Sequence, residues 1–128
     1  MPEGLRFLPL LGRILIAALF MPEGFEKLTG FKPTVDYAAA HGLPLPSLAI
    51  AAAIVIELGF GFLVLIGWKT RWAAAAIALF CVVTAVVFHN NFSDIGERIS
   101  FFKDIAIAGG LLQLAYFGAG PFSVDNRG

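Results

Sequence analysis

Residues 72–88 read WAAAAIALFCVVTAVVF, a run without a single Asp, Glu, Lys, Arg or His. As an α-helix rising 1.5 Å per residue it covers about 25 Å, close to the thickness of a bilayer's hydrocarbon core. It has no polar face to turn toward water, as a surface helix of a soluble protein would. The flanks agree with its length: Lys69, Arg71 and Trp72 stand at one end, and His89, Asn90 and Asn91 at the other. Lipid is therefore the solvent in which this chain folds.

Three further runs repeat the pattern. They extend from about 7 to 28, 48 to 68 and 99 to 117, and each carries charge that the run at 72–88 lacks. Arg13 interrupts the first, Glu57 the second, and Lys103 and Asp104 stand near the start of the last. The 128 residues are 59% hydrophobic and only 14% charged, against roughly a quarter charged in soluble domains. Open backbone groups find no water in lipid, so helix is the economical choice for every span. These features predict an all-α integral membrane four-helix bundle, with residues 1–128 forming a single transmembrane domain. No A-x-A-like cleavage site comes after the first apolar run, which is read as a retained span.

The remaining composition excludes several function classes. Net charge is zero, so no basic field recruits nucleic acid. Cys81 is the single cysteine, which rules out an intramolecular disulfide and dithiol chemistry within one chain. No phosphate loop, dinucleotide fingerprint or nucleophile–base constellation occurs. His41 and His89 lie on different elements and levels, which argues against bis-histidine haem, and no metal-ligand spacing is present.

The first connection differs from the others. Gly30 and Pro33 break the first span, and Gly42, Pro44 and Pro46 form a second break ahead of the next span. Between the two breaks a short interfacial helix is expected from Thr34 to His41, with Thr34 as its N-cap. The connection Gly67-Trp68-Lys69-Thr70-Arg71-Trp72 holds two cations between two tryptophans and favours the cytoplasmic side. Four crossings then place both termini in the cytoplasm. Arg6, Lys69, Arg71 and Arg127 fall on that side, against Lys27, Lys32, Arg98 and Lys103 opposite, so the density of the short loop decides the orientation. The tail from Gly118 onward is polar enough to be solvated.

The intramembrane ionisable residues need a reason, since a carboxylate at the bilayer centre costs about 2.5–3.5 kcal/mol on insertion scales. Glu57 must carry a proton or pair with a cation, and Arg13 is the expected partner across a depth difference of about 7 Å. The alternatives are a purely structural hydrogen bond for Glu57 and snorkelling for Arg13. Gly59 and Gly61 come after Glu57 and would let another helix approach. Arg13, Phe20, Gly24 and Lys27 form one stripe on the first span, expected to face inward. Lys27, His89, Lys103 and Asp104 all fall at one end of the bundle. They form either a polar mouth above Glu57 or a set of interfacial anchors meeting headgroups.

These residues carry a resemblance. Gly12-Arg13-Ile14-Leu15 with Gly24-Phe25-Glu26-Lys27-Leu28, and His41-Gly42-Leu43-Pro44-Leu45-Pro46 ahead of Ile56-Glu57-Leu58-Gly59, are similar to the DoxX family of small membrane proteins. Gly67-Trp68-Lys69-Thr70-Arg71, Phe88-His89, Phe102-Lys103-Asp104 and the ending Gly118-Ala119-Gly120-Pro121-Phe122 continue the likeness over nearly the whole chain. Where the family usually has asparagine, this chain has Asp104, so a role at that position does not carry over directly. The resemblance implies a multi-pass bacterial inner-membrane protein, with some relatives serving as subunits of thiosulfate:quinone oxidoreductases.

Three functions compete on this reading. The first is a membrane subunit of a redox system that binds a quinone in the bundle. In it Glu57 and His89 exchange protons, while Arg13, Lys27 and Lys103, with Asp104 beside them, orient the ligand. No covalently bound cofactor is expected and no residue is assigned as catalytic, so electrons come from a partner oxidoreductase subunit. The second is a non-catalytic scaffold that docks such an enzyme, using the small-residue faces at 73–76 and 109–110. The third is a small-solute carrier, which would need a homo-oligomer to build a path.

Overall fold

A computed structural model describes residues 3–126; Arg127, counted above toward the orientation, lies outside them. The chain is helical in all its regular elements and has no strand among the described residues. After a 3₁₀ turn at Glu3–Leu5, α1 spans Leu8–Thr29 and α2 spans Phe31–Ala40. The second crossing is α3, Pro46–Ile66, and after it come α4, Thr70–Phe88, and α5, Ile95–Phe117. Helices α1, α3, α4 and α5 are long and apolar enough to cross a membrane.

The bundle has two inner and two outer helices. α4 and α3 are the more enclosed, and α1 and α5 are the more exposed. Mostly small residues make this possible: Ala73, Ala74, Ala78, Cys81 and Ala85, with the larger Ile77 among them, line one face of α4 and are all buried. Phe20 of α1, Val64 of α3 and Ala108 and Leu111 of α5 close the same core. α5 packs chiefly on α4, while α1 packs on α3. The outer surface remains apolar, with Leu15, Leu79, Leu112 and Phe117 exposed, as lipid contact requires. Trp72 is 80% exposed at the end of α4, where an interfacial tryptophan belongs.

Several local expectations are corrected. α2 begins directly after Gly30 rather than at Thr34, because Pro33 falls in the first turn, where no N–H is needed. Thr34 does not cap it; its hydroxyl donates to the Gly30 carbonyl at 2.8 Å. α5 starts at Ile95, a turn before the expected residue 99, because Asp94 caps it by accepting from the N–H groups of Gly96 and Glu97. Lys103 and Asp104 consequently lie about two turns inside the helix.

The C-terminal tail is docked rather than solvated. Val124 N–H donates to the Ile66 carbonyl at 3.0 Å and Asp125 N–H to the Gly67 carbonyl at 2.7 Å. The Asp125 carboxylate then accepts from the N–H groups of Lys69 and Thr70 at 2.8 and 2.9 Å, capping α4. Gly67 has φ +74, and a Cβ there would collide with Ser123 and Arg13. Only glycine serves both the turn and the contact.

Candidate functional site

Glu57 lies within a π-helical turn of α3, Val55–Phe60, and is 1% exposed. Such turns insert one extra residue into the helix and re-aim the side chains around it. α1 can reach this turn because Gly24 is opposite: a Cβ at Gly24 would come within 2.9 Å of the Leu58 nitrogen and 3.1 Å of the Glu57 Cβ. The contact fixes the partner of Glu57. Lys27, one turn beyond Gly24 on the same stripe, brings its Nζ to 2.7 Å from Glu57 Oε1. Glu57 Oε2 has no hydrogen-bond partner among the described residues. Of the two glycines expected to permit close approach, Gly61 meets Met21 and Phe20, while Gly59 faces open space.

The expected Arg13–Glu57 pair is therefore absent. Gly24 sets the register of α1 on α3, and Arg13 lies eleven residues from that level, roughly 16 Å along the axis. Arg13 instead occupies the opposite end of the bundle, 1% exposed, and does not snorkel. Its Nη1 donates to the Val64 and Leu65 carbonyls at 3.3 and 2.9 Å, near the carbonyl end of α3. Its Nε donates to Ala119 O at 3.1 Å and its Nη2 to Phe122 O at 2.8 Å. A planar guanidinium satisfies this set of acceptors with its fixed fork of donors. Arg13 thus joins α1, α3 and the tail, apart from the other candidate residues.

Those other residues do converge. A cavity of about 650 Å³ is bounded by α1 and α3 on one side and α4 and α5 on the other, and its lining includes Lys27, Glu57, His89, Lys103 and Asp104. Glu23, one turn before Lys27, also lines it and stands close enough to Glu57 for the two carboxyls to interact. On the far wall His89 lies between two carboxylates of α5, with Nδ1 3.2 Å from Glu97 Oε2 and Nε2 3.8 Å from Asp104 Oδ2. Asp104 therefore faces His89 rather than forming an ion pair with its neighbour Lys103.

The rest of the lining is mostly apolar, including Phe20, Ile50, Ile56, Phe80, Cys81 and Ile107. α2 covers one edge: Tyr37 stacks on Phe88 with ring centroids 5.6 Å apart, and His41 lies 5.2 Å from the same ring. Among the described residues no group of three or more His, Cys, Asp or Glu side chains is arranged to hold a metal ion. Glu23 and Glu97 are absent from the sequence-based set. The i, i+7 spacing of Glu97 and Asp104 on one helix, and the i, i+4 spacing of Glu23 and Lys27, were the available signals.

Comparison with known proteins identifies the family of the chain. The DoxX family profile matches residues 8–90, which contain Arg13, Lys27, Glu57 and His89. The Escherichia coli (strain K12) inner membrane protein YqjF is 38% identical over 116 residues, covering 91% of this chain and 88% of YqjF. Inner membrane protein YphA of the same organism is 37% identical over 123 residues, covering 92% and 88%. A Surfeit locus protein 4 homolog of Schizosaccharomyces pombe is 35% identical over 72 residues, covering 51% of this chain and 24% of its own length. No solved structure matches the chain. With the family profile over residues 8–90 and two relatives matched along most of their length, the chain belongs to the DoxX family.

Proposed function

We propose that this protein, residing in the inner membrane like the relatives it resembles, binds a quinone or quinol in the cavity as the membrane subunit of an oxidoreductase system. The observation that carries the reading is the placement of two titratable sets on opposite walls of one apolar cavity. Lys27 and Glu57 hold one wall, and His89 and Asp104 the other. A quinone headgroup is flat and apolar with a carbonyl oxygen at each end. Each oxygen gains a proton on reduction, so proton-exchanging groups are needed at both ends. A volume of about 650 Å³ lies within the range of roughly 300–1,000 Å³ common to small-molecule sites.

The Lys27 ammonium supplies a donor for a carbonyl oxygen, and the carboxyl group of Glu57, with that of Glu23 beside it, accepts from a quinol hydroxyl. Phe80, Phe88 and Tyr37 offer aromatic surface to the ring. The electrons belong to a partner subunit with its own redox centre, since the chain's own contribution is binding and proton exchange.

Purified protein in lipid nanodiscs titrated with a short-tailed benzoquinone tests the reading. Saturable binding weakened about tenfold or more by Glu57→Gln or Lys27→Met is expected, as loss of a charged hydrogen-bond partner implies. Absence of saturable binding, or affinity indifferent to both substitutions, overturns it and favours a docking role without a ligand.

A further inference from the structure

We infer that His89 is a proton relay between the aqueous surface and the cavity, with Glu97 as its outer partner and Asp104 as its inner one. This rests on the reading of the cavity as a quinone or quinol site, and it concerns how protons reach that site.

The geometry is built by two elements. His89 ends α4, and its backbone N–H donates to the Ala85 carbonyl at 3.1 Å, which fixes where the ring begins. Glu97 and Asp104 are seven residues apart on α5, two turns along one face. One helix therefore presents a carboxylate to each ring nitrogen, Glu97 at Nδ1 and Asp104 at Nε2. A neutral imidazole has a single N–H and can donate to only one of them, whereas an imidazolium donates to both. A ring between two acceptors can thus accept a proton on one nitrogen and release another from the opposite one.

The two carboxylates differ in where they stand. Asp104 lines the cavity and Glu97 does not. Glu97 lies in the first turn of α5, just after the loop between α4 and α5; the two side chains are similarly exposed, 34% and 27%, so position along the helix and the cavity lining separate them. Inward transfer begins with Glu97 as the neutral acid and His89 protonated at Nε2. The Glu97 proton moves to Nδ1, the ring becomes imidazolium, and the Nε2 proton passes to the Asp104 carboxylate. The ring is left as the other tautomer and returns by proton exchange; no electron moves, and the reverse sequence exports a proton. The 3.8 Å step to Asp104 closes by about 1 Å of side-chain movement or through one water. The other charged groups facing this region are Lys103 of α5, Glu23 and Lys27 of α1, and Glu57 of α3, with His41 of α2 beyond the Phe88 ring.

The test is a pH jump on the full chain in lipid nanodiscs, monitored by time-resolved infrared spectroscopy. The Asp104 carboxyl band is assigned by its loss in Asp104→Asn. Glu97→Gln and His89→Phe are expected to slow the titration of that band by about tenfold or more, and Glu97→Asp to restore much of the rate. Side-chain nitrogen signals of His89 in Glu97→Gln establish that the ring remains seated. Wild-type titration rates in Glu97→Gln with the ring seated overturn the relay and reduce Glu97 to a structural anchor. The infrared measurement needs no quinone, so failure of the benzoquinone titration would remove the ligand reading alone.

Discussion

The Lys27 ammonium lies 2.7 Å from Glu57 Oε1, and this ion pair ties α1 to the π-helical turn of α3 inside the bundle. Glu57 is 1% exposed, while the Lys27 side chain keeps about a quarter of its surface open toward the cavity. Attraction between close charges in a low-dielectric interior offsets much of their desolvation, and removal of one partner leaves the other uncompensated.

Lys27→Met is accordingly expected to destabilise the protein by about 3–5 kcal/mol, the range for a broken buried pair. Lys27→Met combined with Glu57→Leu should recover most of that loss, because no buried charge remains. Equilibrium unfolding in mixed micelles checks both variants. A double variant as unstable as the single one would mean that packing, rather than charge, holds this contact.

Gly24 packs against the π-helical turn and Gly59 lies within it, but the two should respond oppositely to alanine. A Cβ at Gly24 would sit 2.9 Å from the Leu58 backbone nitrogen, which cannot move aside as a side-chain tip would. Gly24→Ala should cost about 1–3 kcal/mol by overpacking and weaken ligand binding through displacement of Lys27. Gly59 has nothing within 4 Å, so Gly59→Ala should be neutral or stabilising by up to about 1 kcal/mol through helix propensity. Thermal unfolding of the two variants side by side provides the comparison.

Arg13→Lys should undock the C-terminal tail although charge is kept. The guanidinium reaches carbonyls of Val64, Leu65, Ala119 and Phe122 together, and a lysine cannot reproduce that fork. A loss of about 2–4 kcal/mol is expected from buried acceptors left unpaired, and limited proteolysis after Gly118 should become faster. Unchanged cleavage rates would show that the tail is held by its backbone hydrogen bonds alone.

Asp125 makes tail docking pH-dependent. Partial burial pushes its carboxyl up, but the amides of Thr70 and Lys69 and the Lys69 charge outweigh this and hold it below the ordinary carboxylate value. A depressed pKa in the docked state means the stabilisation is complete above the ordinary carboxyl value and is lost as pH falls through the docked-state value. Docking should thus be intact at neutral pH and weaken in acid below the usual carboxyl range. Fluorescence of Trp68 and Trp72, on either side of Lys69 and Thr70, should report the release. Asp125→Asn should weaken docking at neutral pH and flatten the acid transition.

The spans were legible from residues 7 to 117 because each requires only a run of apolar side chains of membrane length. The inward stripe of α1 was legible too: Arg13, Phe20 and Gly24 are all buried, as the helical period implies. The polar end of the bundle came from the alternation of span directions, which brings Lys27, His89, Lys103 and Asp104 to one level. Arg13 and Glu57 do not pair because the Gly24 contact sets the register of α1 on α3, and span ends do not encode that register. The tail misled for a related reason. Its polar residues look suited to water, but its backbone and Asp125 satisfy the open ends of α3 and α4.

Residue order alone was enough to establish that lipid is the solvent, that four helices cross it, and which ionisable residues stand within them. Periodicity and span length are local properties, and hydrophobicity reads them directly. Which side chains meet emerged with the packed bundle: Lys27 with Glu57, His89 with Glu97 and Asp104, and Arg13 with the tail. These pairings depend on helix register to within one turn, and a single glycine contact and a π-helical turn set it. Neither leaves a mark in hydropathy.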